Sequence, residues 1–361
     1  MNKFLKKYVP RTALISFIAA ALAALFLVLS IFITPVADFL TATVTTAFRA
    51  VMSSLTAFLP FSVFEILMCL VIPALVAVAV IAAKRLRTKQ SALRFLFGAL
   101  ALPAFIFTGF VFSLGIPYHT TDLGERMGMR STEVTAEALT ATAVILRDRT
   151  NELAEELGLS AERESEMNMS MAELSERLTD AYGTFSEEYG FPFNFYTRAK
   201  PMLFDEVMSR ARLLGIYTFF TGESNVNDGY PDYSLVNTVA HEFAHQRGII
   251  KEDEANFMAF AVCIRSDNPY IRYCGYLNMY EYVITALYKT DPESYRLVHK
   301  GLCDEAFADI RAYSEKSKKY KDSKLGEAVN NANDAYLQMN GTEGTVSYSL
   351  CVRLAVAYYH S

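Results

Sequence analysis

Tryptophan is missing from this 361-residue chain, and histidine is scarce, with five copies. Cysteine is equally sparse, at positions 69, 263, 274, 303 and 351. None belongs to a C-x-x-C pair, which argues against a thiolate zinc site. The four outside the apolar runs are numerous enough to pair in an oxidising compartment, but no spacing marks a disulfide framework. A basic stripe is also lacking. The formal net charge is −5, and much of the positive charge sits beside apolar runs. Nucleic acid is therefore not an expected partner. Internal repeats and low-complexity tracts are absent as well.

Apolar sequence is abundant and lopsided, with nearly all the long runs before Pro117. The first, Ala13–Val36, carries no charge and exceeds the ~20 residues that cross a ~30 Å hydrocarbon core. Phe61–Ala83, with Glu65 near its start, and Phe95–Ile116 follow. The first run is too long for a signal peptide and two more succeed it, so a multi-span anchor is expected. Lys3, Lys6, Lys7 and Arg11 precede the first span, and Lys84, Arg85, Arg87, Lys89 and Arg94 fill the loop between the second and third. The Asp38–Pro60 loop has only Arg49. The positive-inside rule then puts the N-terminus in the cytoplasm and everything after Pro117 outside it, in a multi-pass protein of the cell membrane. The Thr, Ser, Asp and Arg of Asp38–Pro60 suit a surface-lying or re-entrant segment rather than a fourth span. Two domains are expected: residues 1–116 in the membrane and residues 117–361 outside it.

The soluble part reads as mainly helical with a small sheet, giving a membrane-anchored α+β protein. Helices are expected over Ser131–Leu157, from the capping box Ser170–Glu173 to about Glu188, and from Pro201 to Leu214. Gly215–Phe220 is β-branched and aromatic and is the best strand candidate, followed by a polar loop over Thr221–Asp232. A helix capped by Asp232 or Ser234 comes next, then helices over about Glu254–Ser266, Pro269–Tyr288, Pro292–Leu302, Asp304–Tyr320, Gly326–Met339 and Val346–Tyr359.

Two of the five histidines, His241 and His245, stand four residues apart in the run His241-Glu242-Phe243-Ala244-His245-Gln246-Arg247-Gly248. On a helix, that spacing puts both rings on one face, where they can share an ion. Glu242 is rotated about 100° from His241, beside the metal rather than on it, where it can act as general base. Zinc lowers the pKa of a water it holds to about 7, so a carboxylate base suffices. Gly248 ends the helix and lets the chain turn back. Glu252 and Glu254 are then the candidates for the third ligand. Glu252 is preferred because Asn256 lies one turn later on its face, placed to hydrogen-bond the ligand; Glu254 stays open. One Zn²⁺ per chain is expected. His119, His299 and His360 stand alone and read as surface or junction residues.

The histidine helix resembles that of the zincin metallopeptidases, and Glu252-x-x-Ala255-Asn256 is similar to the gluzincin E-x-x-A-D/N segment. The likeness is closer to an uncharacterised bacterial family of membrane-anchored HExxH proteins, a domain-of-unknown-function family. Its members share three N-terminal spans, the HE-x-AHQ-x-G…E-x-E-A-N-F run, a loop like Thr221–Asn227 and a C-terminal Tyr336-Leu337-x-x-Asn340-Gly341. The resemblance covers most of the chain and implies a zincin-like domain with zinc-dependent peptidase activity. Only six residues separate His245 from Glu252, fewer than in gluzincins. The Gly248 spacing instead resembles metzincins, whose third histidine would fall at Lys251. In zincins an edge strand before the active helix pairs with the substrate backbone. Here that strand is Tyr217–Phe220, with Glu223, Asn225 and Asn227 as candidate substrate-binding residues. One of Tyr273, Tyr276 and Tyr280 would be a candidate oxyanion donor.

The expected function is a membrane-anchored zinc metallopeptidase that hydrolyses peptide bonds with zinc-activated water and Glu242 as base, acting on a peptide or protein beside the lipid bilayer. The alternative is a non-catalytic zinc-binding membrane sensor or accessory protein, for which an intact Glu242 would be superfluous. A transport path is disfavoured because Glu65 is the only carboxylate within a span and lies at its end.

Overall fold

The computed structural model describes residues 3–86, 88–130, 133–192, 195–339 and 350–360. Among the described residues, three helices are long and apolar enough to cross a membrane: Arg11–Phe32, Val63–Arg85 and a run over Lys89–His119. The first and third pack side by side, joined at one end by Ala23, Ala37, Leu40, Val111 and Ile116. The second is solvent-accessible along its apolar stretch, as a lipid-facing helix would be. At the other end, the Arg94 guanidinium donates to the Lys7 carbonyl at 3.4 Å, so the two basic clusters lie together.

The segment between the first two spans is helical, with Thr34–Leu40, a π turn over Thr41–Thr45 and the loop helix Thr46–Ala57. One polar face turns inward: Thr45, Arg49, Ser53 and Thr56 are all buried, while Thr43 and Ser54 are exposed. That polar stripe at three- and four-residue spacing docks on the rest of the protein, as the bonds described below make plain.

Beyond the spans, the helices Ala136–Leu157 and Met171–Tyr189 start on the side chains of Thr135 and Ser170, which accept amides three residues on. The first of these starts later than the sequence suggested, and Ser131 and Thr132 lie outside the described residues. The expected helix from Pro201 to Leu214 shrinks to Asp205–Ala211, because Ala199–Pro201 forms strand β1. β2 is Gly215–Thr218 and β3 is Glu223–Val226, the latter inside the stretch expected to be a loop. The order is β1-β3-β2, with β1 parallel and β2 antiparallel to β3. β3 was hidden to pattern reading because all four of its residues are buried and polar or small ones predominate.

The core lies among the helices Asp232–Gln246, Glu252–Cys263 and Pro269–Thr290, with Ala136–Leu157 against the last. Prolines at the first turn of Pro269–Thr290 and Pro292–Lys300 match their fixed φ to the helix start. The C-terminal helix is described from Leu350 to His360, and the start expected at Val346, like Asn340 and Gly341, lies outside the described residues. All five cysteines are free thiols.

Candidate metal centre

The metal helix, Asp232–Gln246, is buried on nearly every side. Pro231, not Asp232 or Ser234, occupies its N-cap. Asp232 instead accepts the Met167 amide at 2.7 Å, and the Ser234 hydroxyl donates back to the Pro231 carbonyl at 2.9 Å. Midway, the Asn237 amide nitrogen donates to the Cys274 carbonyl, and the Tyr182 hydroxyl to that of Ala240, each at 2.8 Å. The helix is therefore fixed against its neighbours before its histidines are considered.

His241 and His245 project from one face, their ring centroids 4.5 Å apart and their planes at 84°. After Gly248, in the left-handed region at φ +92°, the chain reverses and the helix Glu252–Cys263 begins. Glu252 then meets both rings: Oε2 lies 3.3 Å from His241 Nε2 and Oε1 3.6 Å from His245 Nε2. One donor atom from each of the three residues falls within a 4.8 Å circle. Zinc bonds of about 2.0–2.2 Å at tetrahedral angles place ligand atoms about 3.3–3.6 Å apart, so this donor set fits the ion. The orientation fits too. The His245 Nδ1–H donates to the Ile249 carbonyl at 2.8 Å, leaving Nε2 for a metal.

Without an ion, the carboxylate and imidazoles bind one another. Burial alone would lower His245, but the charge of Glu252 and their hydrogen bond outweigh it and raise His245 to about 9. Burial acts to raise Glu252, and the His245 charge and both imidazole bonds overcome it, leaving Glu252 strongly lowered. The carboxylate and the two imidazoles form a pre-built set in which one proton, or a metal cation in its place, balances the charge of Glu252.

Glu242 lies beside the cluster, 4% exposed, and its Oε2 has no hydrogen-bond partner among the described residues. Burial is the largest influence on its carboxyl group and raises it above the ordinary range, against the pull of both histidines. It rests over Gly215 of β2: a Cβ there would stand 2.7 Å from Glu242 Cγ and 2.8 Å from Cδ. Sequence reasoning missed this glycine. Its only signal is its position at the head of an aromatic strand.

The other candidates lie elsewhere. Glu254 points away from the histidines, accepting the Leu123 amide at 3.0 Å with Lys251 Nζ at 3.6 Å, and burial raises it to about 7. Asn256 Nδ2 is buried with no acceptor among the described residues, so it does not hold Glu252. Glu223 and Asn225 are buried on the inner strand β3. Glu223 accepts the Val63 and Phe64 amides at 2.9 Å each, and Asn225 Oδ1 accepts the Ser62 hydroxyl at 2.6 Å. Both anchor the start of the second span. Asn227 donates to Ser209 at 2.9 Å. The Tyr273 hydroxyl donates to Asp309 at 2.7 Å, and Tyr280 pairs with His299 at 3.1 Å. Neither phenol reaches His241 or His245 by these bonds.

The family described as "Protein of unknown function (DUF3810)" matches residues 41–356. The chain belongs to this family. The DUF3810 match begins after the first span and takes in the loop helix, both later spans, the sheet and the metal helix. No curated protein and no solved structure matches the chain.

Proposed function

We propose that this DUF3810 protein is a membrane-anchored zinc peptidase. The observation that carries the reading is the meeting of His241, His245 and Glu252 with a buried Glu242 beside them, whose Oε2 has no hydrogen-bond partner among the described residues. A structural site needs three or four ligands and no more; a buried carboxylate held by one backbone amide of Tyr217, with its second oxygen left open beside the ligands, fits a group through which a proton passes. When bound by the three ligands, zinc supplies Lewis-acid polarisation and acidifies a water. Glu242 takes the proton from the attacking water and returns it to the leaving amine, so peptide and water become a carboxylate and an amine. Burial raises its carboxyl group above the ordinary range, the direction that helps it hold the proton before returning it. β2, which among the described residues pairs with β3 alone, is the edge on which a substrate backbone would add as a further strand.

The basic clusters at Lys7 and Arg94 share one end of the spans, and the sheet meets the second span at Val63, its other end. With the basic end in the cytoplasm, the metal centre faces the extracytoplasmic side, next to the bilayer. The test uses full-length protein. Wild type is expected to hold about one zinc and to cleave peptides from a quenched-fluorescence library. Glu242→Gln is expected to keep the zinc and lose about 10²–10⁴-fold in turnover. Full hydrolysis by that variant would remove Glu242 from the chemistry, and a wild type that binds no zinc would end the reading.

A further inference from the structure

Arg49 is the single basic residue of the loop between the first two spans, and it is 0% exposed. A surface-lying segment has no need to bury a guanidinium, and desolvation lowers its pKa from 12.5 to about 10. No carboxylate lies within ion-pair distance of it among the described residues. Its partners are oxygens. Nη1 donates to Thr45 Oγ1 at 3.0 Å and Nη2 to Thr46 Oγ1 at 3.1 Å, one turn back on its own helix. Nη2 also donates to the Arg247 carbonyl at 3.3 Å, across 198 residues of chain.

That carbonyl belongs to the C-cap of the metal helix, where acceptors are left without amides and the helix dipole favours a cation. The next residue is Gly248, and a Cβ there would stand 2.7 Å from Arg49 Cζ. Glycine is thus required twice at this position, for its positive φ and for the guanidinium lying on it. One turn along the loop helix, Ser53 repeats the pattern by accepting from Gln246 Nε2 at 2.9 Å. Two successive residues at the end of the metal helix are therefore gripped from the membrane side.

The gripped turn is the one that joins two ligands. His245 precedes it, Ile249 within it accepts the His245 Nδ1–H, and Glu252 follows it. The angle at which Glu252 returns to His241 and His245 is set by the path of residues 247–251. We propose that Arg49 is a positioning residue for the metal centre. It clamps the turn between His245 and Glu252, so that the ligand triad closes only when the segment between the first two spans is seated. The proposal rests on the zinc reading above.

The experiment is a zinc titration of the full chain in lipid nanodiscs, by competition with a chromogenic chelator, alongside melting of the metal-free protein. Arg49→Met removes the guanidinium and leaves the Thr45 and Thr46 hydroxyls and the Arg247 carbonyl without that donor, so some folding stability goes with it. Its metal-free melting temperature is expected to fall by a few degrees, while its zinc dissociation constant, measured below that transition, rises about 10–100-fold, as for lost outer-shell support. Arg49→Lys keeps a donor and is expected to fall between the two. Glu65→Gln loosens the contact of span and sheet without touching the turn, and is expected to bind zinc like wild type. The cobalt(II) form adds a spectrum of ligand geometry, altered in Arg49→Met and normal in Glu65→Gln. Wild-type affinity in Arg49→Met overturns the proposal while leaving the zinc reading intact; a wild type that binds no zinc overturns both. Should Arg49→Met fail to fold, Arg49→Lys decides by the same titration, and wild-type affinity there rejects the clamp.

Discussion

The carboxylate of Glu242 lies over Gly215, where no side chain stands between the metal helix and the edge strand. Gly215→Ala would place a methyl group 2.8 Å from the carboxylate carbon, so the base must shift. A displacement on the order of 1 Å in a reacting group costs about 10²-fold in rate. The variant is expected to lose about that much turnover, to keep wild-type zinc content and to lose about 1–3 kcal/mol of stability from overpacking. Unchanged turnover would mean that Glu242 works from another position.

Glu252 and Glu254 are separated by their surroundings, which gives a paired prediction. Glu252→Gln is expected to weaken zinc binding at least 10²-fold, and Glu254→Gln to leave it alone. Glu254 has its own signature. Its folded value of about 7 stands above the ordinary 4.5, so ionisation opposes folding. Stability from the protonated form is complete below about pH 4.5 and is lost as pH rises to about 7, by up to about 3 kcal/mol. Glu254→Gln should flatten that decline in a denaturant titration of the metal-free protein. Zinc loss in Glu254→Gln would exchange the roles of the two residues.

Much of this centre was legible because its chemistry is local. His241, Glu242, His245 and Gly248 lie within one helix and its cap, and helical spacing alone orders them. The three spans were legible for the same reason, since apolar length is a local property. What the sequence concealed lies across the chain. β3 carries no alternating pattern because both of its faces are covered, and Glu223 and Asn225 looked like cleft residues because polarity reads as exposure. Arg49 looked like a stray loop charge until a partner 198 residues away came beside it.

In the metal-free protein, His245 is raised from 6.5 to about 9 by Glu252, so it is protonated at pH 7. A zinc ligand must be neutral, so binding at pH 7 has to expel that proton. Calorimetry in buffers of different ionisation enthalpy should register release of about one proton at pH 7 and about half a proton at pH 9. Metal-free stability should run the other way. The contribution of the raised histidine is complete below pH 6.5 and is lost as pH climbs through about 9. Zinc affinity rising from pH 6 to 9 while metal-free stability falls is the expected pair of slopes. Zinc binding without proton release at pH 7 would show that His245 is already neutral and that Glu252 does not hold it.

Two carboxylates cross at the seam between the sheet and the second span. Glu223 of β3 receives the Val63 and Phe64 amides at the start of the span, and Glu65 of the span receives the Leu203 and Phe204 amides beside β1. Hydrogen bonds to a charged partner contribute about 1.5–3 kcal/mol each, and burial here prevents water from replacing them. Glu223→Ala leaves two span amides unpaired and is expected to lower stability by about 2–4 kcal/mol, with KM unchanged below the melting transition. Glu65→Ala, which leaves the Leu203 and Phe204 amides unpaired, should do the same. A substrate-binding Glu223 predicts the reverse: normal melting and a KM raised about tenfold or more. Melting curves and peptide kinetics on the two variants therefore separate a seam residue from a cleft residue. A KM effect without a stability effect would return Glu223 to the cleft.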